Sequence, residues 1–135
     1  MAYLIDTNIF IILLKQRDRG GWQLSERLAR EEESEILCSA VVAAELWHGA
    51  EKYAVPDARR AKLTLLLSPY HSLPFDSRCV PQYAAIRHHL EKQGQLIGGN
   101  DLMIAATALA HGLTLVTHNS AEFARVPGLK WEDWA

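Results

Sequence analysis

Short apolar runs alternate with helical stretches along all 135 residues, an order that predicts an α/β fold. Three observations carry this. The runs at Tyr3–Ile5 and Leu113–Thr117 are strand-like, and each leads into a segment with helix-start residues. Apolar residues recur at helical spacing between the runs. No repeat, low-complexity tract or Pro/Ser-rich linker interrupts the chain, so one domain spanning residues 1–135 is expected. Alternation of this kind predicts a mainly parallel sheet with helices on both faces.

Each element follows from local chemistry. Tyr3–Ile5 is an apolar run bounded by Asp6. Thr7 or Asn8 is expected to cap a helix to about Leu14. Lys15–Gly21 is polar and ends in glycine, and reads as a loop. Leu24 and Leu28 mark an amphipathic helix over Trp22–Glu33. Glu35–Cys38 is a second strand, and Ser39 caps a helix from Ala40 to about Tyr53. Pro56 suits the first turn of a helix to about Leu67. His71–Phe75 is a third strand, weakened by Pro74. Val80, Tyr83, Ala84 and Leu90 predict a helix over Ser77–Gln93, with Gly94 at its end. Gly98-Gly99-Asn100 leads to a helix from Asp101 to His111. Leu113–Thr117, a short helix at Ser120–Phe123 and a strand near Leu129–Trp131 complete the chain.

Composition excludes several classes. Hydrophobic residues make up 49% and charged residues 22%, which argues against a disordered or fibrous chain. Cys38 and Cys79 lack metal-ligand spacing and read as reduced core residues of a cytoplasmic protein. The opening has no basic stretch before its apolar run, and Ile9–Leu14 is too short to cross a bilayer. The net charge of -2 gives no strong basic field of the kind that marks many nucleic-acid binders.

Four acids stand where function concentrates in such folds. In parallel α/β sheets, ligands bind beyond the C-terminal ends of the strands. Asp6 ends the first strand, and as a plain structural residue it would cap a helix. Glu45 shares an apolar helix face with Val42, Leu46 and Gly49; at the rim it would reach water. Asp101 opens the most apolar helix, where a structural acid would complement the dipole. Glu122 follows the strand ending at Thr117, as does Asn119. Gathered at one sheet edge, carboxylates about 5 Å apart repel by roughly 3 kcal/mol per pair. Such a cluster requires raised pKa values or a bound cation. All-oxygen donors select a hard ion, Mg²⁺ or Mn²⁺. An ion held there acidifies a water for attack on phosphorus and offsets charge on the phosphoryl oxygens. A remaining carboxylate orients the water or takes its proton.

The stretches that carry these acids are LIDTNIF, SAVVAAELWHGAEK, IGGNDLMIAATALAHG and LVTHNSAEF, with the ending RVPGLKWEDW. Together they resemble a PIN domain, and within that family the VapC-type toxins of bacterial toxin–antitoxin pairs. The resemblance implies a PIN-like three-layer sandwich around a mainly parallel sheet of about five strands. It also implies a metal-dependent endoribonuclease acting on RNA, often structured RNA such as tRNA. The family's motif acids map onto Asp6, Glu45 and Asp101. Many PIN domains place an Asp where this chain has Asn119, so the fourth acid is assigned to Glu122. Thr7, Asn8, Thr117 and Asn119 are expected to support the site. The implied partners are a VapB-type antitoxin, a second copy in a homodimer, and operator DNA reached only through the antitoxin. Trp47, Tyr53 and Leu63 either line an apolar groove for the antitoxin or belong to the core.

Two basic clusters, Lys15/Arg17/Arg19 and Arg59/Arg60/Lys62, either meet RNA phosphates or form solvated faces. His118 lies near the expected pocket, and Asp76 reads as a helix cap. Two other functions remain open at this level. A catalytically inert binding module is one, since fold does not prove activity. The other is an aspartate-nucleophile phosphatase built on Asp6, although position 8 carries Asn where that class wants a second Asp.

Overall fold

The computed structural model describes residues 1–15 and 19–135. Five parallel strands form one sheet: β1 (Tyr3–Ile5), β2 (Ile36–Ser39), β3 (His71–Leu73), β4 (Thr114–Val116) and β5 (Trp131–Glu132). Their spatial order is β3-β2-β1-β4-β5. Helices α1 (Thr7–Lys15) and α2 (Arg19–Arg30) connect β1 to β2, and α3 (Ala40–Ala50) and α4 (Pro56–Leu67) connect β2 to β3. Helices α5 (Val80–Lys92) and α6 (Gly99–Ala110) lead to β4, and α7 (Ser120–Phe123) leads to β5. This is the expected α/β architecture, a parallel sheet flanked by helices. Every strand pair is parallel, so the fold goes beyond the mainly parallel sheet that was expected.

The order explains where a site can form. From β1 the chain moves outward on one side through β2 to β3, then crosses back to β4 and β5 on the other. Right-handed crossovers in opposite directions put their helices on opposite faces. A crevice opens where the direction reverses, at the C-terminal ends of β1 and β4. The register there pairs Ile5 with Val116. Leu4, Ile5, Ile9, Phe10, Leu115 and Val116 are fully buried beneath it.

Several boundaries differ from expectation. Helix α1 begins at Thr7 itself, so Asp6, and neither Thr7 nor Asn8, occupies the cap position. Helix α2 begins at Arg19, before Trp22. Its Leu24 is fully buried, packing that outweighs the helix cost of about 1 kcal/mol per glycine. The expected contacts of Arg17 and Arg19 lie outside the described side chains. Helix α3 stops at Ala50 because the amides of Glu51, Lys52 and Tyr53 turn to carbonyls three residues back. Its expected cap holds: Ser39 accepts from the Val41 amide at 3.0 Å. Strand β3 ends at Leu73, before Pro74, which has no amide to give a ladder. Helix α5 starts at Val80, since Pro81 fits only a first turn.

Asp76 caps the turn ahead of α5, accepting from the Arg78 amide at 3.1 Å. Cys38 and Cys79 are buried free thiols, and burial pushes Cys38 up to about 11. Among the described residues no helix is long and apolar enough to cross a membrane.

Candidate active site

Asp6 leaves β1 with its amide still bonded to the Val116 carbonyl at 2.9 Å. The sheet therefore fixes its position before the chain turns into α1. Its side chain is 3% exposed. One carboxylate oxygen accepts from the Thr7 amide at 2.7 Å, and the other accepts from the Thr117 hydroxyl at 2.7 Å. Thr117 is itself fully buried at the end of β4. The two strands that border the crevice are thus tied together through a carboxylate.

Thr7 extends the network. Its hydroxyl donates to Glu45 Oε1 at 2.6 Å, which anchors the half-buried Glu45 of α3 to the first turn of α1. Asp101 sits in the first turn of α6 and Glu122 in the short α7. The tertiary fold brings the four acids into one electrostatic neighbourhood. Burial raises the Asp6 pKa; the hydrogen bonds from Thr117 and Thr7 oppose this, and the charges of Glu45 and Glu122 add to it. Asp101 is pushed up to about 7, first by burial, then by the Asp6 charge and a hydrogen bond with Glu122, with the charges of Glu122 and Glu45 contributing further.

The charges that act most strongly on Asp6 and Asp101 are all carboxylates. Negative charge is in excess, the donors are all oxygen, and both cysteines lie in the core. This donor set fits a hard divalent cation. Among the described residues, however, no three acids, histidines or cysteines are already drawn into a closed ligand set. An ion would have to draw the acids further inward.

The supporting residues divide. Thr7 and Thr117 contact the acids directly, as described. Asn8 does not: its side chain accepts from the His118 amide at 3.1 Å and so pins the turn after β4. Among the described residues the Asn119 side chain forms no hydrogen bond, and its amide donates to the Thr117 hydroxyl oxygen at 2.9 Å. His118 turns outward and pairs with Asp133 at 2.9 Å.

Two depressions flank α3. One, of about 250 Å³, is lined by Ile11, Leu14, Leu46, Tyr53 and Leu63, together with the charged Lys15, Glu45, Lys52 and Arg59. Tyr53 is half exposed and Leu63 buried at its floor, while Trp47 is exposed outside it. Trp47 therefore belongs neither to the core nor to this groove. The other depression, of about 350 Å³, is of mixed polarity and is lined by Ala44, Glu45, His48, Gly49, Lys52 and Asn100. Lys52 and Asn100 went unnoticed in the sequence. Part of the signal was there, since Glu45, His48 and Gly49 follow helical spacing along one face of α3, whereas Lys52 lies in the turn beyond its end. Of the basic cluster in α4, Arg60 is held by Glu51 and Asp57, and Arg59 stacks over Tyr53 at 4.3 Å.

Comparisons with known proteins place this geometry. The PIN domain family matches residues 3–129. The chain is 37% identical over 134 residues to Ribonuclease VapC2 of Rickettsia felis, covering 99% of this chain and 98% of that protein. It is 34% identical over 135 residues to the tRNA(fMet)-specific endonuclease VapC of Shigella flexneri, covering 100% and 99%. Its fold is similar to VapC in the crystal structure of Rickettsia felis VapBC2 bound to a promoter DNA fragment, with a TM-score of 0.88, 36% identity and full coverage of both chains. None of these likenesses favours an aspartate nucleophile. The chain belongs to the PIN-domain family and, within it, to the VapC ribonucleases.

Proposed function

We propose that this protein is the ribonuclease toxin of a toxin–antitoxin pair, cutting RNA phosphodiester bonds, with structured RNA such as tRNA as its substrate. Residues 1–135 act as one PIN unit in the cytoplasm. The observation that carries the reading is the meeting of Asp6, Glu45, Asp101 and Glu122, with only carboxylates among the charges that act most on Asp6 and Asp101. The likeness to a tRNA-specific endonuclease over the whole chain supports the substrate class.

Asp6, Glu45, Asp101 and Glu122 are the residues that would hold Mg²⁺ or Mn²⁺. Such an ion, when bound, supplies charge to the phosphoryl oxygens and acidity to the attacking water. The chain's own residues do the rest. Thr117 and the Thr7 amide fix both oxygens of Asp6, so that carboxylate cannot rotate away. The Thr7 hydroxyl orients Glu45. Asp101 and Glu122 share a hydrogen bond, and the one left free of the ion takes the water's proton or orients the water. Asn8 and Asn119 shape the turn that carries Glu122.

The partner is a VapB-type antitoxin, as in the VapBC2 complex. Its segment would lie in the apolar groove between α1, α3 and α4, where a basic side chain reaches Glu45 at the rim. Two copies form a homodimer, and operator DNA is met through the antitoxin alone.

The test is sequencing of RNA ends after brief expression, wild type against Asp6→Ala and Asp101→Ala. Discrete new ends and growth arrest are expected only with the wild type. If either variant cleaves and arrests growth normally, the reading fails. Titration with Mn²⁺ should raise the melting temperature; the absence of a shift at millimolar ion would favour an inert PIN fold.

A further inference from the structure

The ion site accounts for one phosphate only. An RNA strand laid across four carboxylates brings its neighbouring phosphates close to the same negative charge, and those need partners of their own. The second depression beside α3 offers them. Glu45 forms one of its walls, and Asn100, next to Asp101 in sequence, lies at another. One of the four acids thus lines it directly, and the neighbour of a second lines it from α6. His48 stands about one helical turn beyond Glu45 on α3, at a pitch of about 5.4 Å, and Lys52 follows in the turn after Ala50. Lys52, His48 and Asn100 are exposed to solvent and face a strand lying there. Ala44 and Gly49 add no bulk between them.

Lys52 is the cationic side chain that lines this depression. Among the described residues, Arg27, Arg60 and Arg87 are engaged with carboxylates. Arg59 is stacked on Tyr53. Lys52 forms no ion pair among the described residues, so its ammonium is available without breaking one. A lysine serves a phosphate as a point charge on a flexible stem, which suits a contact that tracks a backbone and reads no base.

We propose that this depression is a phosphate-binding subsite for the RNA nucleotides flanking the cleavage point. Lys52 is its charged contact, and His48 and Asn100 are its hydrogen-bonding walls. The inference rests on the ribonuclease reading above and adds the path of the substrate. Lys52 is a positioning residue: it holds the strand and does not touch the reacting atoms.

The experiment measures binding of a labelled single-stranded RNA of mixed sequence to Asp6→Asn, with and without Lys52→Gln, across a series of salt concentrations. Loss of one phosphate contact should weaken binding several-fold and lower the slope of log Kd against log salt by about 0.7. Lys92→Gln, at the far end of α5, should leave the slope unchanged. In the wild-type background, Lys52→Gln should raise KM for unfractionated tRNA with kcat nearly constant, a readout that does not depend on the Asp6→Asn fold. If Lys52→Gln leaves slope, affinity and KM unchanged while the wild type cleaves RNA, the subsite is overturned and the ribonuclease reading stands. If the wild type neither binds nor cleaves RNA, both fall.

Discussion

The Thr7 hydroxyl donates to Glu45 Oε1 across 2.6 Å, joining residues 38 positions apart in the chain. Asp6 is held next door by the Thr7 amide. One residue therefore positions two of the four acids, one through its backbone and one through its side chain.

That relationship makes Thr7 separable from the fold. In Thr7→Val the amide still bonds Asp6, and only Glu45 loses its donor. The expected result is a fall in RNA cleavage of about tenfold, equal to roughly 1.4 kcal/mol of transition-state stabilisation. The melting temperature should hardly move. Thr7→Ser should restore activity. Equal cleavage by wild type and Thr7→Val would show that Glu45 needs no orienting.

Thr117 is expected to behave differently because it and Asp6 are buried together. Thr117→Val keeps the shape and removes the donor from Asp6 Oδ2, together with the acceptor of the Asn119 amide. A hydrogen bond to a buried charged group is worth about 2 kcal/mol, so chemical denaturation should show a loss of that size. Thr117→Ser should recover most of it. An unchanged midpoint and slope would mean that Asp6 is protonated in the native state and needs no such partner.

The acids also predict a pH dependence. Asp6 and Asp101 both have folded-state pKa values raised above the ordinary carboxylate value of 3.8. Each binds its proton more tightly folded than unfolded. The stability this gives is complete below the unfolded value and is lost as pH rises, for Asp101 through about 7. In EDTA, the melting temperature should fall between pH 5 and pH 7.5. Asp101→Asn should flatten that fall, and Mn²⁺ added to the wild type at pH 7.5 should reverse it. A melting temperature that rises over the same range in EDTA would contradict the repulsion argument.

The C-terminal tail is a structural element in its own right. Trp134 packs edge-on against Tyr3 at 4.8 Å, lies under Arg27 at 4.4 Å and donates its indole N–H to Glu132 at 2.9 Å. Trp134→Ala should cost about 3 kcal/mol, a drop of about 10 °C in melting temperature. Residual cleavage measured well below that temperature should persist, because the tail lies outside the acid cluster. Loss of cleavage in a variant that is still folded would place the tail in the site.

The sequence by itself determined the class of fold and the residues worth watching. Alternating apolar runs specify strands and helices locally, and acids at strand ends or on an apolar helix face are visible as misfits to their surroundings. Helix starts were also legible at Ser39 and Pro56, because caps and first-turn prolines act within a few residues. What only the tertiary structure decided is which misfits meet. Asp6 and Thr117 are 111 positions apart, and they touch because β1 lies beside β4 with Ile5 opposite Val116. No local propensity encodes that register. The same is true of Asn8, whose partner is the His118 amide and not an acid. It is true of Lys52 as well, which lies in the turn after α3 and shares a depression with Glu45 and Asn100. Strand order and helix docking come from burying the whole apolar set at once, so they set long-range polar contacts that nearest-neighbour chemistry cannot specify.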